Sequence, residues 1–323
     1  MRKNGFTFIE ILGVITLLAL ISIIVLTVVD KNLKDSKNTL SEVQIENIKS
    51  AASMWRTDNI ELVPDSGYYV LTLGDLINSG YISDVIDPNS NSSYDNGLTL
   101  GVGVNDIRID GRDSLLALSG YTKLDYIMSD GGQYIDLGYK AKKNTEIRLD
   151  VQFVPNENTD TDTASNTIVG KVTRDNVNAN FSINFGRSVE QKIQIFYWVD
   201  KHYGYDGEVK SKTYSSSVIN RSMMIVKSGA ATFQDITIEI ATKTQDNTEN
   251  MILLGGYDPE AQSVLSFNRY DAKIYGFQIY EGDKLVMDMA PYMKNEKAGL
   301  YDFIGNKFYL SNGSADFLYG ELE

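Results

Sequence analysis

One carboxylate near the start of the chain lies just inside an uncharged, strongly apolar segment, where a negative charge needs a positive partner. Glu10 follows Gly5-Phe6-Thr7-Phe8-Ile9, and no charged residue occurs from Ile11 to Val29. An ionised carboxylate in a bilayer segment costs at least ~2.5 kcal/mol on insertion scales, so such a residue is usually retained for a function and has a partner. We therefore expect Glu10 to pair with a positive group.

The residues around Glu10 also predict how this segment is placed. An ordinary secretory signal is cleaved after its apolar stretch, whereas here the basic residues and a glycine precede it. The stretch is long enough to cross ~30 Å of hydrocarbon at ~1.5 Å per residue. Arg2 and Lys3 place the short leader in the cytoplasm by the positive-inside rule. A plain single-pass anchor is the alternative, but it leaves Glu10 unexplained.

The run Lys3-Asn4-Gly5-Phe6-Thr7-Phe8-Ile9-Glu10-Ile11-Leu12 resembles the N-terminus of type IV prepilins and pseudopilins. The resemblance implies that a prepilin peptidase cuts after Gly5 and that Phe6 becomes an N-methylated N-terminus. It further implies that Glu10 pairs with the free amine of a neighbouring pilin subunit. The first proline is Pro64, so the mid-helix proline common in this family is absent.

Composition narrows the classes of function. The formal net charge of −13 argues against a general nucleic-acid binder, which needs a basic face. There is no cysteine, so no disulfide framework holds the exported part together. With one histidine, His202, a multi-histidine metal site is excluded. The length of 323 residues allows two folded units beyond the anchor.

The helix is predicted to continue to Trp55, because no proline or glycine interrupts the chain after Lys31. Apolar residues recur there at helical spacings and predict one face packed on a globular head: Leu33, Leu40, Val43, Ile48, Ala51, Ala52 and Trp55. A short helix at Leu73–Ser79 and short strands at Thr99–Val104 and Asp106–Asp110 complete the expected head.

Beyond about residue 113 the pattern changes to strands. Residues 146–153 alternate cleanly, with Ile147, Leu149, Val151 and Phe153 on one face. Thr232–Ala241 is among further predicted strands, and the many turn signals indicate a sandwich or barrel. The predicted domains are 1–5 (leader), 6–29 (transmembrane and filament-core helix), 30–113 (rest of the helix and small head) and 114–323 (β domain).

Three stretches of the β domain resemble laminin-G-like, concanavalin-like jelly rolls. The opening stretch is Tyr126-Ile127-Met128-Ser129-Asp130-Gly131-Gly132-Gln133-Tyr134-Ile135-Asp136-Leu137-Gly138-Tyr139. The closing stretches are Ala272–Tyr280 and Gly299–Tyr309. The resemblance implies a fold but no particular ligand, because jelly rolls serve many functions. The expected class is therefore α+β: a long N-terminal hydrophobic helix with a small pilin-like head, then an all-β jelly-roll sandwich.

Catalysis and metal binding are weakly indicated. Glycoside hydrolysis needs two close carboxylates in a groove, whereas Glu281 and Asp283 fall in a predicted hairpin turn. We therefore expect that the β domain is not an enzyme and requires no cofactor. Residues 156–162 offer many oxygen ligands of the type Ca²⁺ prefers. A flexible acidic loop between strands is the alternative there, and we favour it.

The densest aromatic stretch is the candidate ligand-binding site. A glycan stacks on exposed rings beside polar groups, and this stretch supplies Tyr197, Trp198, His202, Tyr203 and Tyr205. Strand alternation would instead bury about half of these rings in the core, and core plus hairpin is the interpretation we favour.

These features together predict a minor type IV pilin or pseudopilin. It would be held in the cell membrane with its N-terminus in the cytoplasm, then assembled with other pilin subunits at the cell surface. The β domain would serve adhesion to a glycan or protein, at the tip or at sparse positions. Two alternatives stay open: a structural pseudopilin of a competence or secretion system, and a membrane-tethered lectin that never polymerises.

Overall fold

The computed structural model describes residues 8–130, 132–155, 166–170, 181–187, 193–199, 210–213, 220–258, 263–265 and 270–322, some of them by backbone alone. The chain divides into two compact units, Met1–Leu115 and Leu116–Glu323. The predicted boundary at residue 113/114 lies two residues before this division.

The first unit combines one long helix with a small antiparallel sheet. Helix α1 spans Phe8–Asp58 and a 3₁₀ turn follows at Ile60–Leu62. The remaining elements up to the boundary are β1 (Tyr69–Thr72), α2 (Leu73–Asn78), β2 (Ile86–Asp87), β3 (Ser92–Ser93), β4 (Thr99–Val102), β5 (Ile107–Ile109) and α3 (Arg112–Leu118). Strands β1, β4 and β5 form a three-stranded sheet in that order, and β2 and β3 form a separate hairpin.

Within the part of α1 whose side chains the structure describes, the C-terminal turns are the ones buried against this sheet. Ile48, Ala51 and Ala52 are completely or almost completely buried, and Trp55 lies at 5.0 Å, centroid to centroid, from the ring of Tyr69. Helix α2 is held by a capping box in which Thr72 and Asp75 satisfy each other's backbone N–H groups. The predicted continuation of α1 to Trp55 and the predicted second helix are confirmed.

The second unit is a β-sandwich. One sheet has the order β15-β14-β13-β8-β19-β6-β20-β21-β22, with β23 also paired to β6, and the other has the order β12-β11-β10-β9-β16-β7. The strands are β6 (Thr122–Ser129), β7 (Ile135–Asp136), β8 (Thr145–Pro155), β9 (Asn166–Gly170), β10 (Phe181–Arg187), β11 (Ile193–Val199), β12 (Lys210–Thr213), β13 (Ser222–Lys227), β14 (Ala230–Phe233), β15 (Ile236–Glu239), β16 (Ile252–Leu253), β17 (Gly256–Asp258), β18 (Ser263–Leu265), β19 (Tyr270–Glu281), β20 (Lys284–Lys294), β21 (Lys297–Asp302), β22 (Lys307–Tyr309) and β23 (Leu318–Glu321).

The core between the two sheets follows the alternation in the sequence. Ile147, Leu149, Val151 and Phe153 of β8 are each fully buried, as predicted. They share one apolar cluster with residues of the other sheet, such as Ile183 of β10. Alternate residues of a strand point to opposite faces, so the polar residues between them lie on the outer face of the larger sheet.

One predicted strand is in fact a hairpin. Thr232–Ala241 was expected to be continuous, but β14 ends at Phe233 and β15 begins at Ile236. Gln234 and Asp235 between them have φ angles of 49° and 61°. Two successive residues with positive φ make the tight turn that matches the twist of antiparallel strands, and such a turn is hard to see without a glycine.

The segment that carried the jelly-roll resemblance is locked by one buried glutamine. The Gln133 side-chain oxygen accepts hydrogen bonds from the Ser129 hydroxyl at 3.0 Å, the Asp130 N–H at 3.1 Å and the Gly132 N–H at 3.2 Å. Its amide nitrogen donates to the Asp316 carbonyl at 3.0 Å. The side chain therefore ties the β6–β7 turn to the segment before β23.

The expected fold class, α+β with a long hydrophobic N-terminal helix, is wrong. The described residues are mostly β-sheet, and three of their four helical elements are short, spanning Ile60–Leu62, Leu73–Asn78 and Arg112–Leu118. The fourth, α1, is long, but charged and amide residues recur along it after Asp30. The class was assigned from the apolar run of residues 6–29, whereas the strands of the second unit account for more of the described residues than the helices do.

A search of the described residues found no helix that combines the length and the apolarity needed to cross a membrane.

Candidate functional site

Of the three residues predicted for processing and assembly, the structure describes one, Glu10. Gly5 and Phe6 fall outside the described residues, since α1 begins at Phe8. Glu10 lies in the first turn of that helix, with its backbone described but not its side chain. The structure therefore gives Glu10 a helical position, and its predicted partner stays a prediction.

Much of the predicted packing face of α1 is uncovered within the described residues. Leu33, Leu40 and Val43 are 56%, 53% and 50% exposed, although they share helical spacings with the buried residues from Ile48 onward. Among the described side chains, the head's apolar core includes only the C-terminal part of the helix, from Ile45 onward. Arg56 fixes that part by donating to the carbonyls of Gly103 and Val104 at 3.1 and 3.2 Å.

A cleft of about 630 Å³ lies beside α1 where the head begins. Its lining residues are Asn38, Ser41, Glu42, Ile45, Glu46 and Lys49 of the helix together with Asn89 of the β2–β3 turn. Ser41 is joined to Tyr94 by a hydroxyl–hydroxyl hydrogen bond of 3.0 Å. The Asp87 carboxylate shapes the turn by accepting from the Asn89 N–H at 2.9 Å and the Ser90 hydroxyl at 3.0 Å, and these bonds lower its pKa.

The predicted ligand-binding aromatics are not brought together in the described part of the chain. Tyr197 lies in β11 with its side chain in the sandwich core, 3% exposed. Trp198 follows in the same strand, with only its backbone described. His202, Tyr203 and Tyr205 lie outside the described residues. The burial of Tyr197 agrees with the alternation of a core strand.

A row of stacked cationic and aromatic side chains covers the outer face of the larger sheet. The Arg221 guanidinium carbon lies 3.9 Å from the ring centroid of Tyr275, whose ring packs edge-on to Tyr126 at 5.6 Å. The ammonium group of Lys273 lies 4.2 Å from the Tyr126 centroid. Arg221 also donates to both oxygens of Asp150, at distances between 2.7 and 3.1 Å.

The electrostatics of this row keep Arg221 charged and the Tyr275 hydroxyl neutral. The hydrogen bonds from Arg221 to Asp150 raise the pKa of the Arg221 guanidinium further. Burial is the main cause of a raised pKa for the Tyr275 hydroxyl, which donates to the Gln152 side chain at 3.0 Å. Gly320 of β23 leaves space for this arrangement, because the Tyr126 ring occupies the position of a side chain there.

Chemically, the row is a polar surface whose rings are partly covered, and not an open stacking platform. One face of each ring, Tyr126 and Tyr275, is covered by a cation from the same domain. A ligand would therefore meet ring edges, hydroxyl groups and the half-exposed Arg221. Sequence reasoning missed this row because it followed the inward residues of each strand. The sequence feature that could have predicted the row is the pair Lys273 and Tyr275, which alternation places together on the outward face of one strand.

One of the two predicted turn carboxylates has a structural partner. Glu281 ends β19 and pairs with Lys142 at 2.8 Å. Burial raises the pKa of the nearby Tyr139 hydroxyl to about 12, so it remains a neutral phenol bonded to Thr145 at 2.7 Å. No group of three or more metal-ligating side chains occurs among the described residues, which do not include residues 156–162.

Comparisons with known proteins give no family. No protein-family model and no curated protein matches the chain. Among solved structures, the chain resembles the native heptameric SAP-like pentraxin from Limulus polyphemus, at 10% identity over 49% of this chain and 70% of the pentraxin, with a TM-score of 0.30. It also resembles Scytalido-glutamic peptidase, at 10% identity over 54% of this chain and 91% of the peptidase, with a TM-score of 0.28. At these TM-scores neither likeness carries an argument about function. The fold itself defines a β-sandwich protein with a separate helix-bearing N-terminal unit.

Proposed function

We propose that this chain is a minor type IV pilin or pseudopilin subunit that assembles into a cell-surface filament. The observation that carries the proposal is the sequence Gly5-Phe6-Thr7-Phe8-Ile9-Glu10 directly before and within the start of α1. A free amine created at Phe6 would supply the countercharge that Glu10 requires, because a buried charge must be paired. Before assembly the N-terminal segment would hold the subunit in the cell membrane.

The shape of the first unit supports a role in packing with other subunits. Among the described side chains, the head's apolar core takes in α1 only from Ile45 onward, and Leu33, Leu40 and Val43 before that point are exposed. Exposed apolar side chains in a row are typical of a surface that another molecule covers. In a filament, the neighbouring subunits would cover this part of the helix.

The β-sandwich of residues 116–323 would be presented by the filament, and we propose a laminin-G-like jelly roll with adhesion as its task. A bulky second unit would crowd a helical lattice if every subunit carried it, which favours the tip or sparse positions. The burial of Tyr197 favours the second candidate, a structural pseudopilin with the sandwich as spacer, since it removes one ring from the predicted glycan site.

The decisive experiment is mass spectrometry of the chain purified from cells with an active prepilin peptidase. We expect a mature N-terminus at Phe6, carrying one methyl group, and loss of the first five residues. A chain that retains Met1 and Arg2 under those conditions would refute the proposal.

A second experiment separates polymer from tether. Glu10→Val should remove surface filaments, while Glu61→Val, which deletes an exposed carboxylate of the 3₁₀ turn, should leave them unchanged. Filaments that persist with Glu10→Val would support the tethered alternative. Binding of purified filaments to a glycan array then distinguishes an adhesin from a spacer.

A further inference from the structure

The loop between β15 and β16 directs two polar side chains away from solvent. Lys243 is 3% exposed and Asn247 is 5% exposed, whereas Thr244, Gln245 and Asp246 between them are exposed. Lysine is almost never fully buried unless it is paired, because burial disfavours the charged form of its amine. The loop therefore holds Lys243 inside for a specific contact.

Backbone hydrogen bonds fix the main chain of both residues. The Lys243 N–H donates to the Ser228 hydroxyl at 2.9 Å. The Asn247 N–H donates to the Ala141 carbonyl at 2.6 Å. These bonds tie the loop to the β13–β14 turn and to the segment before β8, and they set the positions from which the two side chains reach each other.

The two side chains meet as an amine and a carboxamide. Among the contacts of Lys243, its Nζ atom donates to Asn247 Oδ1 at 2.7 Å. A hydrogen bond of this length places the nitrogen about 3.5 Å from the carboxamide carbon, which is close to the distance from which reacting atoms approach. The last side-chain torsion of asparagine is broad, so rotation about it turns the face of the carbonyl toward Nζ.

The nitrogen of the same carboxamide is poorly accommodated. Asn247 Nδ2 is buried without a hydrogen-bond partner, and it is the one side-chain atom in this condition within the part of the chain that the structure describes. A buried N–H donor that makes no hydrogen bond destabilises the fold. Release of this nitrogen would remove that penalty.

We propose that Lys243 and Asn247 react with each other to form an amide bond between their side chains. The deprotonated amine attacks Cγ of Asn247, the Nζ–Cγ bond forms and the Cγ–Nδ2 bond breaks. One proton of the amine moves to the leaving nitrogen, which departs as ammonia. The reaction needs no oxidant and no cofactor. The fold assists it because a fixed pair replaces a bimolecular encounter.

The product is a covalent ring within the loop. It closes the chain from residue 243 to residue 247 and holds the loop in the form that bonds to Ser228 and Ala141. The inference concerns the sandwich alone, so it does not depend on whether the chain is processed or polymerises.

Tryptic digestion of the full-length wild-type chain, followed by mass spectrometry, tests the bond directly. Trypsin cleaves an unlinked chain after Lys227, Lys243 and Arg269. A linked Lys243 is no longer a site for trypsin, so we expect a single fragment of residues 228–269 in place of two. Its mass should be lower than that of its sequence by one ammonia molecule, and single backbone breaks between residues 243 and 247 should release no fragment ions.

Two variants of the loop provide the controls. Asn247→Ala keeps the lysine and removes the carboxamide, so trypsin should again cleave after Lys243. Gln245→Ala changes an exposed residue of the same loop and should leave the link intact. If Asn247→Ala does not fold, digestion of the wild-type chain still decides the question.

Either of two results would overturn the inference. The first is a pair of separate wild-type fragments, 228–243 and 244–269, with the masses of their sequences. The second is loss of ammonia with normal cleavage after Lys243, because that combination shows a succinimide formed by Asn247 with its own backbone and not a bond to the lysine.

Discussion

Gln133 offers the sharpest test of how the β-sandwich is held together. It is 2% exposed, and its side chain makes four hydrogen bonds that join the β6–β7 turn to the carbonyl of Asp316. Replacement by leucine keeps the volume similar and removes all four bonds. Each bond contributes about 0.5–1.5 kcal/mol net, so the expected loss in the free energy of unfolding is about 4 kcal/mol.

The unfolding of the second unit can be measured separately by tryptophan fluorescence. The chain has two tryptophans, Trp55 in the first unit and Trp198 in the second. In a Trp55→Phe background the fluorescence of Trp198 reports unfolding of the sandwich. For a unit of about 200 residues, 1 kcal/mol corresponds to a shift in Tm of about 2–4 °C. Gln133→Leu should therefore lower Tm by about 8–16 °C.

The matched control is Gln133→Glu, which loses the donor to the Asp316 carbonyl only when its carboxyl group is ionised. At low pH the protonated group has one O–H that can donate and one oxygen that can accept, so we expect a smaller loss than that of leucine. At neutral pH we expect a larger loss, because the lost donor is joined by the desolvation cost of a buried charge. A leucine variant within 2 °C of the wild type would refute the idea that this side chain locks the turn.

Three further predictions concern other contacts. Arg221→Ala should lower the free energy of unfolding of the sandwich by about 1–2 kcal/mol, measured by urea denaturation. Arg221→Lys should lower it by about half as much, because lysine keeps the charge but cannot donate to both oxygens of Asp150. Equal losses would contradict a contribution from this two-oxygen bond. Burial raises the pKa of Asp302 in the folded chain above its ordinary value of about 4. The carboxyl group therefore stabilises the fold while it is protonated, and this contribution should be lost as pH rises from about 4 through the raised pKa. Asp302→Asn should flatten this part of the curve of stability against pH. An unchanged curve would contradict the assignment of this pH dependence to Asp302. Trp55→Ala should cost the first unit about 3–5 kcal/mol, seen by circular dichroism at the helical minimum, and a loss under 1 kcal/mol would show that the head does not depend on this contact.

Patterns that repeat within one element were predictable. The alternation of residues 146–153 placed Ile147 and Phe153 in the core, and the uninterrupted helical pattern carried α1 through Trp55. Such patterns arise from the geometry of a single strand or helix, so neighbouring residues in sequence contain the required information. The turn at Gln234-Asp235 was missed because its positive φ angles occur without glycine.

Contacts between distant segments could not be predicted in this way. The row on the outer face brings Tyr126, Arg221 and Tyr275 together from three places in the chain, and only the order of strands decides that they meet. Likewise, no local pattern shows that Gln133 bonds to Asp316.

The sequence by itself determined the course of α1 through Trp55 and the inward face of β8, because each depends on residue types and spacing along one element. The countercharge of Glu10 stays a prediction. Only the tertiary structure decided that the head leaves Leu33 and Leu40 of α1 uncovered and that Tyr197 is buried. Burial is set by which surfaces meet across the sheets and against the helix, and that depends on pairings between residues far apart in the chain.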